Sequence, residues 1–322
     1  MKNPWDDIQT PDIDLMTLRA DAHHPLDFFW AKDHLNRYLF VYEYPSKSEL
    51  VIQNPPDLEG IETNNSMHEN VARLIFTLRD KDNWEMFYAL CVNLMSATNK
   101  ATIPEKAPSL ILTRLKRWQR FLKKSKLDIL REEEIKGLIG ELIFLRDWMM
   151  PQYGVTDAVK FWLGPEGAPQ DFSINNLAVE VKCQLGSTKP TIKISSIDQL
   201  FTQLPHLVLY VVTLGKSTFE HKESINLPDL IEEIESMIED EASPSLNRFQ
   251  ELLIEIGYVF KEKYYDFNYL YLGERAFKVE GEFPRMLPTE IKEGIERLRY
   301  NINLNDCVDY ELDIENWSLS DY

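Results

Sequence analysis

The chain has 322 residues, 44% of them apolar, and a formal net charge of −18. No apolar run reaches the roughly 18 residues that suggest a membrane span, so no membrane partner is expected. Cys91, Cys183 and Cys307 are widely spaced and give neither a disulfide framework nor a zinc spacing. The first residues, Met1 to Asp14, are polar and acidic and lack the basic and apolar regions of a secretory leader, so a reduced, cytoplasmic protein is predicted.

The acidity is unevenly spread. Residues 215–322 carry 11 Lys and Arg against 25 Asp and Glu, whereas residues 114–193 carry 14 against 10. Local charge governs docking more than the total does. The acidic third reads as a solvated surface or as a protein-binding face, and the total charge predicts weak, salt-sensitive DNA binding by the isolated chain.

Residues 1–108 read as an N-terminal α+β domain. Arg37–Tyr44, Glu49–Gln53, Gly60–Thr63 and Ala72–Leu78 have strand composition. Asp82 is placed to cap a helix from Trp84 to Ala97, with Phe87, Leu90, Cys91 and Leu94 on its apolar face. His23 and His24 are adjacent, so their side chains diverge and suggest no metal pair. After a polar linker, Ser109–Lys126 forms a basic amphipathic helix. Its Arg114, Lys116, Arg117, Arg120, Lys123 and Lys124 alternate with Leu115, Trp118, Phe121 and Leu122. Such a face suits a phosphate backbone, or else Trp118 and Leu122 belong to the core.

Residues 109–215 hold the densest chemistry. Glu132–Met149 is a helix whose Ile135, Leu138, Ile139, Leu142 and Ile143 form the buried stripe. Pro151 and Gly154 are expected to end it. Gly137 and Gly140 precede Glu141 and cost helix stability, which suggests close approach of another backbone or a metal. Val159–Leu163 reads as a strand, Asp171–Ile174 as a second, Asn175-Asn176 as a tight turn and Leu177–Cys183 as a third. Alternation puts Val179, Val181 and Cys183 on one face, with Ala178, Glu180 and Lys182 on the other. Thr191–Ile194 is extended, Asp198–Phe201 starts a short helix, and His206–Thr213 is a buried strand.

Residues 216–322 read as an acidic C-terminal α/β extension. Leu227–Asp240 and Ser245–Tyr258 are amphipathic helices split at Ser243-Pro244. Asn268–Leu272 and Arg275–Val279 suggest a hairpin, Thr289–Leu298 a helix and Arg299–Leu304 a closing strand.

Helix, strand and strand thus bring Glu141, Asp171, Glu180 and Lys182 together. Three converging carboxylates leave excess negative charge that a cation relieves. Mg²⁺ takes hard oxygen ligands, and Mn²⁺ can substitute. Asp171 and Glu180 are the candidate ligands, the Val181 carbonyl a third, and Glu141 an outer ligand or part of a second metal site. Lys182 can touch the attacking water or a scissile phosphate. The alternative is a structural Glu180–Lys182 pair with Asp171 as a turn residue.

At these positions the chain resembles the PD-(D/E)XK nuclease superfamily. The metal-binding Asp matches Asp171, (D/E)XK matches Glu180-Val-Lys182, and the helix acid matches Glu141. It looks closer still to one bacterial branch, the "PD-(D/E)XK motif protein" family of unknown function. That likeness runs through Gly137-Leu-Ile-Gly-Glu-Leu142, Gly164-Pro-Glu-Gly-Ala-Pro-Gln-Asp-Phe172, Leu177-Ala-Val-Glu-Val-Lys182, Ile194-Ser-Ser-Ile-Asp-Gln-Leu200 and Phe283-Pro-Arg-Met-Leu-Pro288. The resemblance implies a mixed α/β fold with a restriction-endonuclease-like αβββαβ core. It also implies a Mg²⁺-dependent DNA endonuclease linked to bacterial DNA modification or phage defence, working with other proteins of such an operon. In some branches a helix Gln assists catalysis, and Gln199 is the candidate counterpart. One departure is that Gln170 separates Pro169 from Asp171. Two-strand cleavage needs two active sites, which would suit a homodimer. A non-catalytic scaffold or DNA-binding subunit, and an RNA or structure-specific nuclease, are the competing readings.

Overall fold

The hydrophobic patterns resolve into two units in the computed structural model, which describes residues 2–45, 56, 58–68, 70–99, 103–124, 129–186, 189–240 and 245–322. One unit comprises Met1–Ile129 with Gly257–Glu262, the other Leu130–Ile256 with Lys263–Tyr322.

In the first unit, strands β1 (Leu15–Arg19), β2 (Asp27–Asp33), β3 (Tyr38–Pro45), β4 (Ile61–His68) and β5 (Val71–Leu78) form an antiparallel sheet in the order β1-β2-β3-β5-β4. The expected strand Glu49–Gln53 lies outside the described residues. Aromatic side chains build the core. Trp5 stacks on Tyr38 at 5.1 Å and on Phe87 at 5.2 Å, and its indole donates to the Leu39 carbonyl at 2.8 Å. Helices α1 (Trp84–Thr98) and α2 (Ala107–Lys124) follow. Asp82 is not the cap of α1. Instead Asp80 caps a short 3₁₀ turn over Lys81–Asn83, accepting from the Asp82 N–H, and α1 continues from that turn. A carboxylate one turn earlier thus satisfies the open donors.

In the second unit, helix α3 (Glu132–Phe144) begins with three glutamates, whose charge suits a helix N-terminus. It does not stop near Pro151. A π turn over Leu145–Met149 leads into helix α4 (Met150–Phe161). Pro151 comes just after the π turn, at the start of α4. Gly154 (φ 72°, ψ 162°) does interrupt it, as expected: its backbone is non-helical and two helical segments meet there at a kink. Val159–Leu163 is therefore no strand. Short apolar runs fit either period, and here Ala158 and Val159 are buried on a helix while Trp162 alone makes a β-bridge, to Phe172.

The main sheet joins β6 (Phe172–Ile174), β7 (Leu177–Leu185), β9 (His206–Ser217), β10 (Asn268–Lys278) and β12 (Glu311–Leu312), in the order β12-β10-β9-β7-β6; β8 (Thr191–Ile194) instead pairs with β11 (Tyr300–Asn303). β7 and β9 run parallel and the other pairs are antiparallel. Central β9 is apolar almost throughout because the sheet is covered on both faces. On one face α3 packs closely. A Cβ at Gly140 would lie 3.4 Å from Cys183 Cβ and 3.6 Å from Val181 Cγ1, whereas Gly137 faces nothing within 4 Å. On the other face Ala178, Leu209 and Val211 pack with Ile192, Ile194 and Ile302 of β8 and β11. Helices α5 (Leu227–Asp240) and α6 (Ser245–Ile256) complete the unit's helices.

Two further expectations are corrected. Residues 268–278 form one continuous strand, not a hairpin. The register skips Leu272 between Tyr271 and Gly273 (φ 128°), so the glycine marks a bulge. Residues 289–298 form no helix beyond a 3₁₀ turn over Pro288–Glu290, because Gly294 (φ 88°) and Arg297 (φ 57°) take left-handed backbone.

The glycines make opposite predictions. Gly137→Ala is expected to stabilise the second unit by roughly 0.5–1 kcal/mol, the helix-propensity gain. Gly154→Ala is expected to cost about 1–3 kcal/mol, because its backbone region is essentially glycine-only. Urea unfolding followed by circular dichroism measures both, and equal effects would contradict the assignment of the bend.

Candidate active site

The edge of the main sheet creates the site. β6 is short, and its pairing with β7 ends at Phe172↔Val179. Beyond that point the Val181 N–H meets no strand on this side and donates instead to Asp171 Oδ2 at 2.8 Å. The Asp171 carbonyl in turn accepts from the N–H groups of Leu163 (2.8 Å) and Gly164 (3.0 Å). Asp171 is thus held by its side chain on β7 and by its backbone on the segment after α4.

Glu180 and Lys182 share the opposite face of β7 from Val181. Glu180 is 1% exposed, and its Oε1 accepts from Lys182 Nζ at 2.5 Å. Its second oxygen, Oε2, is buried with no hydrogen-bond partner. A buried carboxylate oxygen left unpaired is costly. Glu141 comes from α3, and its Oε2 accepts from the Trp162 indole at 2.8 Å. It also meets Asp171. A Cβ added at Gly164 would lie 2.8 Å from Asp171 Oδ1 and 3.3 Å from Glu141 Oε2. Gly164 therefore leaves open the gap between the two carboxylates.

The electrostatics tie all four groups together. Burial and then the Asp171 charge push the Glu141 carboxyl well above its ordinary range, against the Trp162 donor and Lys182. Glu180 is pushed up by burial and Asp171, against Lys182. Asp171 is raised by burial, against Lys182 and the Val181 N–H. Burial alone would pull Lys182 down, but Glu180, Asp171 and Glu141 outweigh it and hold the ammonium above its usual value. One cation does not balance three anions here, so the cluster disfavours full ionisation.

This donor set fits a hard divalent cation. It offers carboxylate oxygens, an orphaned Glu180 Oε2 and a gap that any side chain at 164 would fill. The oxygens are not preassembled as a cage: no group of three metal donors is drawn together among the described residues. Asp171, Glu180 and Glu141 each spend one oxygen on Val181, Lys182 and Trp162 respectively.

Gln199 stands apart from the cluster in its contacts. Its side-chain oxygen accepts from the Ser195 N–H at 2.7 Å, within a 3₁₀ turn over Ile197–Leu200. Gln170, the residue that displaces proline from its place before Asp171, is 8% exposed. Its amide donates to the Asp198 carbonyl, to Gln199 O at 3.4 Å and to Phe201 O at 3.0 Å. It fastens the approach to Asp171 onto that turn.

The basic helix α2 lies in the first unit. Leu115, Trp118 and Leu122 are buried, and the Trp118 indole donates to Asn93 Oδ1 at 3.1 Å. Trp118 is therefore core and no stacking platform. Lys116 and Arg120 are exposed and Arg117 is half-buried. Burial and the neighbouring Arg117 push Arg114 down to about 10. The side chains of Lys123 and Lys124 lie outside the described residues.

Sequence patterns missed Trp162 and Gly164. The signal was present as an indole followed by Gly-Pro, but it reads equally as the end of a strand. No curated protein and no solved structure matches the chain. Matched over residues 1–305, the chain belongs to the family described as "Putative PD-(D/E)XK family member, (DUF4420)".

Proposed function

We propose that this chain is a Mg²⁺-dependent endonuclease that hydrolyses DNA phosphodiester bonds, with Mn²⁺ able to substitute. The observation that carries the reading is the orphaned Glu180 Oε2 beside Lys182, in a cluster with Asp171 and Glu141. Family membership supports it; of the expected αβββαβ core the structure has helix α3, hairpin β6–β7 and parallel strand β9, while the expected first strand is helical and the second helix is a 3₁₀ turn.

In this reading Asp171 and Glu180 hold the cation, with the Val181 carbonyl beside them and Glu141 as an outer ligand. The cation would lower the pKa of bound water and neutralise phosphate charge. The chain's own residues do the rest. The Val181 N–H fixes the Asp171 carboxylate, and Trp162 fixes Glu141. Lys182, held protonated by three carboxylates, supplies a donor where charge develops on the phosphate or the attacking water. Gln199 takes part through the turn that anchors Gln170. Lys116, Arg117 and Arg120, with Arg114, Lys123 and Lys124, are proposed contacts to the phosphate backbone. The net charge of −18 argues that partner proteins of a modification or phage-defence operon supply further DNA affinity. A homodimer would cut both strands.

Lys182→Ala is expected to lower plasmid cleavage in Mg²⁺ or Mn²⁺ by at least about 100-fold, the loss typical when a charge-stabilising donor is removed. If the native chain cuts neither DNA nor RNA but still binds partner proteins, it is a scaffold. Cleavage of RNA alone would redirect the substrate and leave the centre intact.

The cluster also makes the metal-free protein pH-sensitive. A carboxyl whose folded pKa is raised contributes stability below its unfolded value, near 4.5 for Glu, and loses it as pH rises through the folded pKa. Metal-free protein is therefore expected to lose stability from acidic toward neutral pH, and Mg²⁺ to restore it there. Glu180→Gln should raise the metal-free melting temperature at neutral pH and abolish the Mg²⁺ effect. Calorimetry with and without Mg²⁺ checks this, and a variant that melts lower yet still responds to Mg²⁺ contradicts it.

A further inference from the structure

The segment Trp162-Leu163-Gly164 touches both acids that do not lie on β7. The Trp162 indole donates to Glu141 Oε2 at 2.8 Å, and the Leu163 and Gly164 N–H groups donate to the Asp171 carbonyl at 2.8 and 3.0 Å. Trp162 itself is immobilised. It is fully buried, its backbone bridges Phe172, and its ring lies 5.9 Å from Phe249 of α6. Glu141 has no other hydrogen-bond donor among the described residues, and the oxygen that Trp162 holds, Oε2, is the one at the gap, 3.3 Å from where a Cβ at Gly164 would lie.

We propose that Trp162 is a positioning residue of the metal centre, holding the Glu141 carboxylate at the edge of the gap at Gly164, beside the cation that Asp171 and Glu180 would hold. This rests on reading the cluster as a metal centre. A donor that orients a carboxylate at a metal centre is worth about 10- to 100-fold in metal affinity. Trp162→Phe keeps most of the buried ring and removes only the donor.

The test uses Mn²⁺ and the full chain. Calorimetry should show Mn²⁺ binding weakened about 10- to 100-fold in Trp162→Phe. Cleavage by that variant should recover as Mn²⁺ is raised, which a merely structural defect would not allow. In the metal-free protein, the Trp162 indole N–H resonance should shift on Glu141→Gln. Paramagnetic Mn²⁺, added below one equivalent, should bleach that resonance first among the seven tryptophans. This last measurement needs no variant that folds poorly. If another indole is bleached first, or if Trp162→Phe folds and binds Mn²⁺ as tightly as the native chain, the assignment of Trp162 is overturned. Native protein that binds Mn²⁺ beside Trp162 but cuts no nucleic acid would overturn the nuclease reading and leave the positioning role standing.

Discussion

The constraint on which the second unit turns is the burial of three carboxylates around one ammonium. Hydrophobic packing alone would never place Glu141, Asp171 and Glu180 together, because each resists losing water and each repels the others. The fold holds them with directed bonds. One N–H comes from the open edge of β7, one from an indole and one from the lysine that shares the strand face with Glu180. Each donor satisfies one oxygen of its carboxylate. Removing a donor would leave a buried charge unpaired, which costs more than the bond itself contributes.

The path of the chain explains how distant residues come to share this place. A helical path leaves Glu132, passes Glu141, goes through the π turn, breaks at Gly154, and resumes to end at Phe161, just before Trp162. The run that presents the acid thus returns, one residue beyond its end, to donate to it. π turns often sit at functional sites because they re-aim a helix without breaking it. Here the turn begins one residue after α3, within a short distance in sequence of Glu141. Gly164 then brings the backbone against Asp171, a position where even a methyl group would collide with Oδ1 at 2.8 Å.

Much of the site was legible in the residues themselves because period-two alternation is strict. Glu180 and Lys182 had to share a face once Leu177–Leu185 was a strand, and the turn at Asn175 (φ 50°) had to set Phe172–Ile174 beside it. The central helix was equally plain from its apolar stripe. What failed was punctuation. Pro151 looks like a stop, yet the π turn carries the helix past it, whereas Gly154 does break the helix at a kink and a second helical segment follows. Gly273 looks like a hairpin turn, but two registers against β9 on either side of it make it a bulge. Trp162 was out of reach for a different reason. Its partner is 21 residues away across a bend, and no local pattern encodes an indole's hydrogen bond.

The distribution of charge bears on how a polyanion could approach. The acidic last third is no detached tail, because β10 pairs along β9 and β12 pairs with β10, so its strands complete the sheet that carries Glu180. Most of its carboxylates are therefore held on the same unit as the cluster. A nucleic acid nearing that unit meets repulsion that falls off over about 8–10 Å at physiological salt, and the cluster without a cation adds to it. On the nuclease reading, the divalent cation therefore has two separate effects. It would supply the chemistry, and it would neutralise the cluster's excess negative charge so that phosphate can dwell beside Lys182. On that reading affinity and catalysis would rise with the same ligand, and a metal-free chain of this charge would bind nucleic acid poorly.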